Sequence, residues 1–123
     1  MIERWTSPAQ RRWAFWLCVA AVLLLALMRP VQHMPTTGWD KANHVLAFGV
    51  LTLLGCLAYP GRTARIVLAL FAYGVLIEVL QSFTGYRSAE VLDLLADAVG
   101  LAVGWRLMLL LRRFDRPAPD GAQ

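Results

Sequence analysis

Eight polar side chains stand inside or beside strongly apolar runs: Asp40, Lys41, His44, Glu78, Gln81, Arg87, Asp93 and Asp97. Carboxylates and an imidazole held close together are the groups that donate and accept protons in acid–base chemistry. A lysine and an arginine beside them suit an anionic group such as phosphate. Helical spacing gathers the set. Asp40 and His44 are four residues apart, and Lys41 and His44 three apart. Glu78 and Gln81 are three apart, with Gly74 one turn before Glu78. Asp93, Asp97, Gly100 and Gly104 follow one helical stripe. Glycines at that spacing let a neighbouring helix approach closely, so the acidic stripe is expected to face other helices and not lipid.

Bland roles exist for several of these residues. Asp40 and Asp93 suit first-turn acids favoured by the helix dipole. Lys41 and Arg87 suit interface anchors, and His44 suits a structural hydrogen bond. Glu78 and Asp97 resist such roles, because neither stands at a helix end. A charged side chain at bilayer centre costs about 2.5–3.5 kcal/mol on insertion scales. Buried acids therefore need partners. Lys41, Arg87 and a protonated His44 stand at the right level to pair with Asp40, Glu78, Asp93 and Asp97. The expectation is a coupled network that shares one or more protons.

The elements that must position these residues are apolar helices. The chain has 123 residues, of which 59% are hydrophobic and 16% charged, and its mean hydropathy is +0.54. This excludes a disordered chain and argues against a soluble globular enzyme. Four spans are expected, at about 13–28, 40–59, 66–83 and 91–111, in an all-α four-helix transmembrane bundle. The first apolar run has 16 residues and reaches about 24 Å, short of a bilayer core of about 30 Å. Its basic start mimics a signal peptide, but no small-x-small pair closes it, so it is expected to be retained. Pro60-Gly61-Arg62 and residues 84–88 read as turns, with Ser88 placed to cap the fourth helix and Glu90 in its first turn. Residues 1–12 and 112–123 flank the membrane domain at 13–111, the latter as an unordered polar tail. Cys18 and Cys56 sit inside apolar runs and read as packing residues.

Charge assigns sides. Four spans put both termini on one face, with Arg4, Arg11, Arg12, Arg62, Arg65, Arg112, Arg113 and Arg116. The other face holds Arg29, Lys41 and Arg87. The positive-inside rule then places both termini in the cytoplasm, and loops 29–39 and 84–90 outside. Apart from Arg106, every strongly polar intramembrane residue falls in the outer half of the bilayer.

The order of these residues resembles the VanZ-like family. The resemblance rests on Asp40-Lys41-x-x-His44, then Tyr73-Gly74-x-x-Ile77-Glu78-x-x-Gln81, then Arg87. It continues through Asp93-Leu94-x-Ala96-Asp97-x-x-Gly100-x-x-x-Gly104, so that it covers about residues 40–104. Asp97 departs from the family, which often has Asn there, and makes the site more acidic. The resemblance implies a small bacterial polytopic protein of the cytoplasmic (inner) membrane. The family takes its name from a member associated with resistance to teicoplanin, a glycopeptide that acts on lipid-linked cell-wall precursors.

The leading expectation is an outward-facing site that binds or modifies an envelope lipid or lipid-linked precursor. Glu78, His44, Asp97 and Asp93 would supply acid–base chemistry, and Lys41, Arg87, Asp40 and Gln81 would hold the ligand. A proton-coupled carrier is the second expectation. The small four-helix multidrug exporters are of similar size, but they rely on a first-span Glu, and this first span has no acid. A non-catalytic envelope interaction module is the third. No cofactor is expected. A metal held by His44, Glu78, Asp93 and Asp97 has only one imidazole to recommend it. No nucleic-acid reading motif is present, and the sequence assigns no oligomeric state.

Overall fold

A computed structural model describes residues 2–29 and 39–116, with side chains at 4–29 and 41–116. The described residues form helices and turns only. They are α1 (Ile2–Trp5), α2 (Pro8–Leu27), α3 (Trp39–Ala58), α4 (Thr63–Ser82) and α5 (Val91–Phe114). Helices α2 to α5 are each long and apolar enough to cross a membrane.

The first span begins earlier than the apolar run. Ser7 caps α2: its hydroxyl accepts from Gln10 N at 3.2 Å, and Gln10 Oε1 accepts from Ser7 N at 2.8 Å. Pro8 then occupies the first turn, where a missing N–H costs nothing. Capping therefore recruits residues 8–12, with the polar Gln10, Arg11 and Arg12, into the helix. With 20 residues, α2 extends about 30 Å, enough for a bilayer core.

The four long helices alternate in direction. At one end, Trp16 of α2 donates to the Tyr59 hydroxyl just beyond α3 at 3.0 Å, and Phe15 sets its ring edge against Tyr59. Gly61 turns the chain between α3 and α4 with φ 78°, a left-handed conformation that favours glycine. At the other end meet the last turn of α2, the first turns of α3 and α5, and the last turn of α4. We call this the polar end. Loop 29–39 lies largely outside the described residues, as do residues 117–123 of the expected tail. Arg112, Arg113 and Phe114, expected in that tail, continue α5. The two arginines suit its negative dipole end.

Helices α3 and α5 approach most closely, and glycine explains why. A Cβ built on Gly104 would lie 2.7 Å from both the Gly49 carbonyl oxygen and Thr52 Cβ. One on Gly100 would lie 2.5 Å from the Val45 carbonyl oxygen. The absence of side chains lets the backbones touch. Such packing matters more in lipid, where burial of apolar surface drives no association. The interior behind this seam is Phe15, Phe48, Leu51, Leu70, Ile77 and Leu101.

Candidate functional site

The stripe Asp93, Asp97, Gly100, Gly104 is buried along its length on α5. Asp97 is 1% exposed, and Asp93 and Glu78 are 5% exposed. The glycines press α5 on α3, and this sets Asp97 one turn above them against His44 of α3. Their Nδ1–Oδ1 distance is 2.7 Å. The other ring nitrogen of His44, Nε2, lies 3.9 Å from Asp93 Oδ2.

Glu78 enters from α4. Its Oε2 accepts the Glu90 backbone N–H at 3.0 Å. Glu90 is the residue just before α5, with extended backbone and no side-chain cap. Glu78 thus takes one of the N–H groups that a helix start leaves without an intrahelical partner. Ser88 was expected to cap α5 and does not: the helix starts at Val91, too far on for it. Gly74 makes room for this meeting. A Cβ there would lie 2.8 Å from Asp97 Oδ2, so only a bare α4 backbone lets the Asp97 carboxylate sit beside it.

Lys41 closes the exposed side. Its Nζ lies 3.3 Å from Glu90 Oε2 and 3.9 Å from Asp93 Oδ1. Glu90 was expected only as a first-turn acid. It contributes both a carboxylate for Lys41 and a backbone donor for Glu78. Its position one turn before Asp93 was the available signal.

Glu78 Oε1, Asp97 Oδ2 and Gln81 Oε1 are among the buried polar atoms that find no hydrogen-bond partner in the described residues. One donor atom from each of His44, Glu78 and Asp97 lies within 4.8 Å of the others. Three helices thus present unsatisfied acceptors and an imidazole to one small region, a set able to take up a proton, a cation or a hydrogen-bond donor.

Two expected site residues are employed elsewhere. Arg87 was expected to pair with the acids, yet its Nε donates to the Met28 carbonyl at 3.1 Å. Gln81 Nε2 donates to the Ala26 carbonyl at 2.9 Å, and the Tyr86 hydroxyl donates to Leu27. The last carbonyls of α2 have no intrahelical partner, and these three side chains supply one each. The first span, which adds no polar side chain to the site, is fastened to it through backbone. Asp40 lies in the first turn of α3, and its side chain is outside the described residues.

Four membrane-length apolar helices with a gathered polar end define a multi-pass membrane protein. Within that class the chain belongs to the VanZ/LLP1 family, whose model matches residues 4–112. The match takes in α2 as well as the segment carrying the acidic motifs. No curated protein and no solved structure matches the chain.

Proposed function

We propose that the polar end faces outward from a bacterial cytoplasmic membrane, with both termini in the cytoplasm, and binds or modifies an envelope lipid or lipid-linked precursor. The observation that carries this reading is the meeting of His44, Glu78 and Asp97 from three helices, with one oxygen of each acid unpartnered. The arginine asymmetry supports an outward orientation for that meeting. Lys41, with its side chain 44% exposed, stands at the rim as the group for a phosphate. His44 and Asp97 form a hydrogen-bonded pair that passes a proton between imidazole and carboxylate, and Glu78 is the second acid. Arg87 keeps further N–H donors beyond the one given to Met28, so it can serve both α2 and a ligand.

The test is native mass spectrometry of the protein released from bacterial membranes. Wild type should retain a phosphate-bearing lipid, and Lys41→Gln and Asp97→Asn should lose it while elution and helicity stay unchanged. Equal lipid retention in both well-folded variants would overturn the reading. Cysteines at positions 85 and 61, probed with a membrane-impermeant thiol reagent on intact cells, test the sidedness. Only position 85 should react.

A further inference from the structure

We propose that His44, Glu78 and Asp97 form a binding site for a divalent transition cation of the Zn2+ or Mn2+ kind. The proposal stands whether or not the protein acts on lipid. Its basis is geometric. The three donors come from α3, α4 and α5, and one atom of each lies within 4.8 Å of the others. A cation with bonds of about 2.0–2.2 Å holds its donors roughly 3–4.4 Å apart. Closing the difference takes under about 1 Å of movement, which the broad terminal torsion of a glutamate provides.

Satisfaction supplies an independent observation. Glu78 and Asp97 are both more than nine-tenths buried, and Glu78 Oε1 and Asp97 Oδ2 accept no hydrogen bond from the described residues. Unsatisfied carboxylate oxygens in a low-dielectric interior are strongly unfavourable. Each acid uses its other oxygen to fix its place: Glu78 Oε2 on the Glu90 N–H, and Asp97 Oδ1 on His44. Asp97 Oδ2 occupies the space that Gly74 leaves clear of side chain. Glu78 is thus oriented by Oε2 and left with Oε1 to give, as outer-shell partners orient metal ligands, while Asp97 and His44 would exchange their mutual hydrogen bond for the shared cation.

The donor set selects the cation. One imidazole nitrogen and two carboxylate oxygens, with no thiolate, suit Zn2+ or Mn2+ better than copper(I), which prefers sulfur. Mg2+ and Ca2+ prefer oxygen alone. Two carboxylates also match a dication in charge. Three protein ligands leave a position for water or a ligand oxygen, as catalytic zinc sites do.

The test uses the full chain in detergent, stripped with a chelator and titrated with Zn2+, Mn2+ and Co2+, the last read by its visible absorption. The expected result is one ion per chain for Zn2+ or Mn2+, a rise in thermal midpoint, and a Co2+ spectrum with mixed nitrogen and oxygen ligation. His44→Gln, Glu78→Gln and Asp97→Asn should each weaken binding at least tenfold, and Arg106→Gln, at the other end of α5, should not. Should a variant fail to fold, the wild-type Co2+ spectrum still decides. Absence of Co2+ ligation by wild type, or affinity unchanged in all three folded variants, overturns the proposal. So does an infrared band of a protonated buried carboxyl that excess Zn2+ does not remove.

Discussion

Replacing Gly100 by alanine should force α5 away from α3, and the separation should reach the site. The new Cβ would lie 2.5 Å from the Val45 carbonyl oxygen and 2.9 Å from Phe48 Cβ. The first of these is helix backbone, so no rotamer change relieves it. Ordinary contact begins near 3.4 Å, so the helices must part by about 0.9 Å, the difference from 2.5 Å. Asp97 is one turn before Gly100 on the same seam. Lengthening its 2.7 Å bond to His44 by that amount gives about 3.6 Å, which is no longer a hydrogen bond. Overpacking costs about 1–3 kcal/mol and loss of a hydrogen bond to a charged group about 1.5–3 kcal/mol. Alanine returns about 0.5–1 kcal/mol of helix preference. The net loss is roughly 2–5 kcal/mol. Gly49→Ala is the control. Its Cβ would meet only the Gly100 carbonyl oxygen, at 3.6 Å, so stability should hold or rise. Denaturant titration in micelles, followed by circular dichroism, measures both. The hydrogen-bonded imidazole proton of His44, followed by NMR, reports the site. Equal stability of the two variants, or a persistent His44 signal in Gly100→Ala, would refute the reasoning.

Arg87→Gln and Tyr86→Phe should each cost about 0.5–1.5 kcal/mol, because each removes an exposed hydrogen bond to an α2 carbonyl that water replaces in part. Hydrogen exchange should accelerate first in the last turn of α2. Thr52→Val should be nearly neutral, since the hydroxyl donates to Phe48 O of its own helix at 2.7 Å. Thr52→Leu should lose about 1–3 kcal/mol by overpacking against Gly104, with thermal midpoints separating the two. Lys41→Gln should lose only about 0.2–1 kcal/mol, because its pair with Glu90 is half exposed. Denaturation at low and high salt should show that loss shrinking as salt rises.

The apolar runs and their turns made the four spans legible, because a bilayer demands long apolar stretches and little else matches them. The glycine stripe predicted the burial of Asp93 and Asp97, since small residues at helical spacing mark the face that meets another helix. The capping of α2 lay in Ser7-Pro8-x-Gln10, which hydropathy alone passes over. The bond from Arg87 to the Met28 carbonyl was not legible in the sequence, where charge pairing with the acids is the more visible pattern. The open carbonyls at the end of α2 exist only once that helix is docked, and a linear pattern does not show them. The dual role of Glu90 was hidden for the same reason: its N–H reaches Glu78 only across a tertiary contact with α4.

The distribution of polar groups also bears on the carrier alternative. A carrier needs a polar route to both faces of the membrane. Below His44 and Asp97 the seam is closed by glycine-to-backbone contact, and the interior is Phe48, Leu51, Ile77 and Leu101. Thr52 is the one buried polar side chain among the described residues away from the polar end, and its hydroxyl is already spent on Phe48 O. Opening a route past it would separate the two helices that hold the His44–Asp97 pair together. Polar groups gathered at one end only suit a ligand that arrives and leaves on the same side. Proteoliposomes holding wild-type protein should therefore show no proton flux above empty vesicles under an imposed pH gradient. Flux abolished by Asp97→Asn would establish a through-route and reverse this ranking.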